Sequence, residues 1–107
     1  MNINGRIWLE TSKGTFAGEG RIALLEKIKL HGSINKAAKE MKMSYRQAWE
    51  QIESMNKQYN KPLVHKASGG VGGGGSVLTL EGEKVIKLYK EIKLKFNEFL
   101  KTQSKTL

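Results

Sequence analysis

The chain has 107 residues, enough for one folded unit with a single core and too few for a second unit of ordinary size, so a separate ligand-sensing domain is not expected. Nineteen Lys and Arg face ten acids, every one of them Glu, and the net charge of +9 calls for a polyanionic partner, either nucleic acid or an anionic membrane surface. Cysteine is absent, which excludes disulfides, thiol chemistry and thiolate metal sites and fits a reducing compartment.

In chain order, RIWLET from Arg6 sets Ile7 and Leu9 on one face and Trp8 on the other, and Ser12, Lys13 and Gly14 supply a turn before Thr15 and Phe16. Two strands cannot stand alone, so the apolar face of this hairpin is expected against the helices or a second subunit. Over residues 18–31, Ile22, Leu25 and Ile28, joined by Leu24 and Leu30, recur at helical spacing. Glu19 at the start and Lys27, Lys29 and His31 at the end follow the order that the helix dipole favours. Gly32 ends this helix where a left-handed residue is wanted, and Ser33 caps the next one, whose narrow face is Ile34, Ala37, Ala38 and Met41. Ser44 caps a longer helix running to about Tyr59. At about 100° per residue, Tyr45, Ala48, Trp49, Ile52, Met55 and Tyr59 share an arc expected to be core, while Arg46, Gln47, Glu50, Gln51, Ser54, Lys57 and Gln58 fill the other. The second arc is polar but nearly neutral, better suited to reading base edges than to gripping phosphate alone. Residues 32–56 therefore read as a helix-turn-helix.

Pro62 ends the helical region because it cannot continue the backbone ladder. LVHK from Leu63 and VLTL from Val77 read as short strands flanking ASGGVGGGGS, a loop that holds six of the twelve glycines. A hairpin with a long glycine-rich tip after a helix-turn-helix is the wing of a winged helix. The last stretch, from Glu81 to about Thr102, carries Val85, Tyr89, Ile92, Phe96 and Phe99 at 4-3-4-3 spacing, with Leu88 and Leu100 widening the stripe. This is the pattern of a coiled-coil seam, expected to pair with the same helix of a second copy. The expected fold is mainly α with small β-hairpins: a winged helix-turn-helix over residues 1–80, with an N-terminal hairpin and a wing at 63–80. A long C-terminal dimerisation helix over residues 81–107 completes the same domain.

Other readings compete at several points. A helix pair joined by a tight turn occurs in proteins that never meet nucleic acid, and the alternative function is a winged-helix module that docks a protein partner through the final seam. Lys42 stands in the turn where many such motifs have Gly, and a left-handed Lys is costly. Residues 70–75 match G-x-G-x-x-G, but strand-like Val77 and Leu78 follow instead of the helix a dinucleotide site needs. The run GGGGS resembles an engineered linker, a reading countered by the apolar strands on both sides. The lysine-rich final helix is interrupted by Glu81, Glu83, Glu91 and Glu98, which favours a solvated dimer helix over a membrane-surface one. No stretch approaches the roughly 18 apolar residues of a membrane span, and MNINGRIWLE lacks the plan of a signal peptide, so a cytoplasmic location without membrane partners is expected. His31 and His65 look isolated, and no triad or metal-ligand spacing emerges, so neither enzyme activity nor a cofactor or metal is expected. Trp8 and Trp49 are read as core or interface anchors.

Four runs carry a family likeness: GRIWLE from Gly5, GEGRIALLEKI from Gly18, GSINKAAKEMKMSYRQAWEQIESMN from Gly32, and the GG-x-GGGG-x-VLT loop from Gly69. Together they resemble the N-terminal DNA-binding domain of the bacterial molybdate-responsive transcriptional regulator (ModE) family, a winged helix related to that of LysR-type regulators. SYRQAW, the Met55-Asn56 pair and the glycine-rich wing are the most specific parts. The resemblance implies a dimer on a two-fold-related operator of duplex DNA, with one recognition helix, opening at Ser44, per half-site. The family's molybdate-binding region has no matching positions here, so no molybdate is expected in this chain.

The expected DNA contacts are Ser44, Tyr45, Arg46 and Gln47 at the start of the recognition helix and Glu50 and Gln51 one turn on. Arg46 is suited to guanine O6 and N7 or to a phosphate, Gln47 to adenine, and Glu50 to the amino group of cytosine. Lys36, Lys39 and Lys42 are expected along the phosphate backbone, and Lys66 with Gly70 and Gly72 of the wing at a flanking phosphate or minor groove. The expected dimer contacts are Val85, Leu88, Tyr89, Ile92, Phe96 and Phe99.

Overall fold

The structure, a computed structural model, describes residues 1–66 and 75–107. The elements run β1 (Trp8–Thr11), β2 (Gly14–Gly18), α1 (Glu19–His31), α2 (Ile34–Glu40), α3 (Tyr45–Gln58), β3 (Val64–Lys66), β4 (Ser76–Leu78) and α4 (Leu80–Ser104). Each hairpin is an antiparallel two-stranded sheet, β1 with β2 and β3 with β4. No helix among the described residues is long and apolar enough to cross a membrane.

The core is where the predicted stripes meet. Leu24, Leu25 and Ile28 of α1, Ala37 and Ala38 of α2, Ala48, Ile52 and Met55 of α3, and Leu63 and Val64 are buried together. Each large aliphatic side chain among them stabilises the fold by about 2 kcal/mol through the apolar area it removes from water. Alanine on α2 lets α1 and α3 approach it closely. The first hairpin joins this core through consecutive buried residues, Phe16 and Ala17. A regular strand would send those two to opposite faces. Here the register shifts between Leu9 and Glu10, so that Leu9 faces Ala17 and Glu10 faces Thr15, and the bulge turns Phe16 inward to stack on Tyr59 with ring centroids 5.7 Å apart.

The helix junctions follow from capping. Gly32 takes φ 63° and donates its N–H to Ile28 O at 2.7 Å, closing α1. Ser33 Oγ accepts from Lys36 N and opens α2. At the far end of α2, Lys42 adopts φ 57°, with Lys42 N donating to Lys39 O at 3.1 Å and Met43 N to Ala38 O at 3.0 Å. These paired bonds form a Schellman ending in which a lysine occupies the position usually held by glycine. Thr79 caps α4 by accepting from Gly82 N at 3.0 Å while its hydroxyl reaches Pro62 O and Leu63 O. At Gly82 a Cβ would stand 2.5 Å from Leu63 O, so only glycine lets α4 start against this strand.

Three sequence expectations need correction. Leu30 is 70% exposed, because α1 turns it away from the core toward the outer edge of the α1–α4 groove. Tyr45 and Trp49, expected on the core arc of α3, are 52% and 38% exposed, and Trp8 is also exposed with its Nε1 donating to Glu10 at 2.7 Å, so of the core or interface roles expected for the two tryptophans the core role does not hold. The stripe on α4 is also not one continuous seam. Val85 and Tyr89 are buried within the chain itself, Tyr89 donating its hydroxyl to Ile7 O at 3.1 Å, and Phe96 is half-buried against Gly5. The N-terminal segment covers this side of α4, which leaves Leu88, Ile92 and Phe99 exposed.

Candidate nucleic-acid interface

The expected contact residues fall into three groups once the fold is formed. At the start of α3, Ser44 Oγ accepts from Gln47 N at 3.0 Å, so its acceptor function is used in capping. Tyr45, Arg46, Gln47 and Glu50 follow on the exposed face of the first turns, whereas Gln51 is only half-exposed at its edge. The Arg46 Nε donates to Glu50 Oε1 at 3.1 Å, one turn along the helix. The structure brings Ser44, Tyr45, Arg46, Gln47 and Glu50 together on one convex ridge, held from behind by Ala48, Ile52 and Met55.

Lys36, Lys39 and Lys42 form the second group, exposed along α2 and its turn. Among the described residues none of the three has a carboxylate partner in an ion pair. Among the described residues charge is thus divided between elements: α2 and the turn carry exposed cations without an ion-pair partner, and the ridge of α3 offsets its arginine with its own glutamate. A surface of this kind offers cations to anionic groups and, beside them, side chains with hydrogen-bonding capacity.

The wing root is the third group, and here Lys66 departs from expectation. Its ammonium is paired with the Glu53 carboxylate and lies 3.9 Å from the centroid of the Trp49 ring. Lys66 binds α3, not an open flank. Its bond holds the Glu53 carboxyl below the usual carboxylate range. Gly70 and Gly72 lie outside the described residues.

Several positioning residues escaped the sequence reading. Asn56 Oδ1 accepts from Leu63 N at 2.8 Å and its Nδ2 donates to Val64 O at 3.1 Å, fixing β3 to α3. Arg21 Nη1 donates to Phe16 O at 3.0 Å and Ser54 Oγ at 3.1 Å, and Gln58 Nε2 donates to Thr15 O at 2.9 Å. These bonds clamp the first hairpin to the opposite flank of α3. Ser76 N donates to Gly32 O at 2.9 Å, which joins the wing to the end of α1. Only Asn56 had a signal in the sequence, as half of the Met55-Asn56 pair. His31 also proves not to be isolated: it meets the Glu40 carboxylate, which Lys27 approaches to 3.4 Å.

Away from α3, a groove of about 870 Å³ runs between α1 and α4, with Leu30, Ile86 and Leu94 among charged residues. Lys29–Glu83 at 2.8 Å and Lys90–Glu26 at 2.5 Å cross it. No group of three or more His, Cys, Asp or Glu is placed to hold a metal ion among the described residues.

A family model described as "Bacterial regulatory helix-turn-helix protein, lysR family" matches residues 20–83. The chain is 39% identical over 102 residues to a molybdenum transport protein ModE of Azotobacter vinelandii, covering 95% of this chain and 38% of that protein. It is 46% identical over 81 residues to the DNA-binding transcriptional dual regulator ModE of Escherichia coli K12, covering 76% and 31%. It therefore spans about a third of the length of these curated relatives. Among solved structures, ArgP of Mycobacterium tuberculosis superimposes with a TM-score of 0.57 at 20% identity, over 78% of this chain and 30% of that one, a likeness of fold alone.

Proposed function

The chain belongs to the bacterial helix-turn-helix regulatory proteins of the lysR family, and from that premise we propose that it is a cytoplasmic, sequence-specific binder of duplex DNA that regulates transcription as a homodimer and performs no chemistry. The observation that carries this reading is the exposed ridge from Tyr45 to Glu50 together with the exposed Lys36, Lys39 and Lys42, which have no ion-pair partner among the described residues. In this reading the start of α3 enters the major groove, where Arg46 and Gln47 meet base edges, and the lysines of α2 follow the backbone. Of what the relatives' names describe, DNA binding is carried over to this chain.

Purified protein should bind random-sequence duplex at low salt, weaken steeply as salt rises, and enrich paired half-sites from a random pool. An absence of duplex binding at low salt would overturn the proposal. Pairing is assigned to Leu88, Ile92 and Phe99, since Val85 and Tyr89 are already enclosed. Phe99→Glu should sediment as a monomer and bind the enriched site more weakly; a persisting dimer would move the interface elsewhere. A protein-docking module is the second reading, favoured by the α1–α4 groove with Leu30 and Leu94 exposed. It makes no use of the α3 ridge, so the duplex experiment separates the two.

A further inference from the structure

We infer that Glu50 is a positioning residue that commits Arg46 to reading guanine, and that Glu50 does not itself read a base. This inference rests on the DNA-binding reading above and names the chemistry of one contact within it. The Arg46–Glu50 bond uses Nε, and among the described residues the guanidinium makes no other hydrogen bond. Both terminal Nη groups therefore stay free, and a guanidinium anchored at Nε points them outward as a fork. That fork matches the O6 and N7 acceptors that guanine presents in the major groove. The two side chains are 88% and 59% exposed, so the pair adds little to folding. Its weight falls on binding, where the groove removes water from both groups and strengthens their attraction.

The carboxylate also sets where the arginine goes. Beside a phosphate, Glu50 is repelled, so the pair as a unit disfavours the backbone and favours the groove floor. Glu53 is neutralised in the same way by Lys66, which leaves the ridge without excess cationic charge. Phosphate attraction then rests on Lys36, Lys39 and Lys42, whose positions are set by α2. Base reading and backbone gripping are assigned to different helices, and Glu50 keeps them separate.

The test is parallel selection from a random duplex pool by the wild type, Arg46→Ala, Glu50→Ala and Glu50→Gln, with salt-dependent binding measured on the wild-type winner. Circular dichroism melts of the variants should match the wild type, because the pair is exposed. The wild type should enrich a guanine that Arg46→Ala loses. Glu50→Ala should weaken the preference for that same guanine about tenfold and steepen the salt dependence by about one unit as the released arginine reaches phosphate. Glu50→Gln, which keeps an acceptor for Nε, should fall between. Replacing that guanine by 7-deazaguanine should weaken the wild type and leave Arg46→Ala unaffected. If Glu50→Ala keeps the guanine and loses a cytosine elsewhere, Glu50 reads its own base and the inference is wrong. If Glu50→Ala selects the wild-type motif unchanged, the inference fails alone; if the wild type enriches nothing, the DNA-reading function fails with it.

Discussion

The two halves of α3 carry similar side chains and do opposite work. In the first half, Arg46, Gln47 and Glu50 face solvent, and among the described residues their bonds outside the helix ladder are the Arg46–Glu50 pair and the cap at Ser44. In the second half, Ser54, Asn56 and Gln58 direct their polar atoms into the protein, toward Arg21, the first hairpin and the wing root. On a helical wheel Ser54 and Gln58 belong to the same polar arc as Arg46 and Gln47. What separates them is packing: among the described residues, the first hairpin and the Asn56 bonds to Leu63 and Val64 engage the lower half of α3, whereas Arg46 and Gln47 stay exposed. In the proposed role, a ridge that enters a groove is bare at one end and firmly mounted at the other.

Substitutions in the two halves should break this contrast in different ways. Asn56→Ala strands the N–H of Leu63 and the carbonyl of Val64, and the loss of stability should be about 2 to 3 kcal/mol, seen as an earlier thermal or urea transition. Arg46→Ala should leave that transition within about 0.5 kcal/mol of the wild type. It should instead lower the affinity for the selected site by about 2 kcal/mol. Were Arg46→Ala to unfold the chain, or Asn56→Ala to leave its stability intact, the division between a mounted and a reading half would be lost.

Lys42 joins the two concerns in one residue. Lys42→Gly relieves the left-handed lysine, offset in part by glycine's greater freedom when unfolded, for a net gain of about 0.5 kcal/mol in stability. The same change should weaken duplex binding and make the salt dependence shallower by about one unit. A stabilised variant that binds with undiminished salt dependence would remove Lys42 from the interface.

The smallest effect concerns the Glu53–Lys66 latch between α3 and the wing root. The Lys66 bond lowers the folded pKa of Glu53 below its ordinary value of 4.5. Its contribution is therefore present above about pH 4.5 and is lost as pH falls through the lower, folded value. Between pH 6 and pH 3 the melting temperature of the wild type should fall by slightly more than that of Glu53→Gln, and equal losses would leave the latch without a role in stability.

Much of the fold was legible because its signals are local. Gly32, Ser33 and Ser44 punctuate the chain through bonds to residues within four positions, and helix boundaries follow from them, whereas Thr79, expected within a strand, instead caps α4 while its hydroxyl reaches Pro62 and Leu63. The core face of α2 and of most of α3 follows from spacing alone. The start of the candidate site was legible for the same reason: Ser44 caps α3 and the exposed polar turn follows it, which is where the proposed reading helix begins.

Periodicity says which residues share a face but not what covers that face. Trp49 shares the arc of Ile52 yet stays 38% exposed, with Lys66 lying over its ring. Val85 and Tyr89 share the stripe of Ile92 yet are enclosed, because residues distant in sequence reach across to them, as Ile7 does to Tyr89. Lys66 looks like a free cation until Glu53 is placed beside it. The sequence by itself determined the helices, the turns and the sign of the charge, all consequences of backbone geometry and composition. Only the tertiary structure decided which polar groups remain free for a partner, since that depends on contacts between segments tens of residues apart.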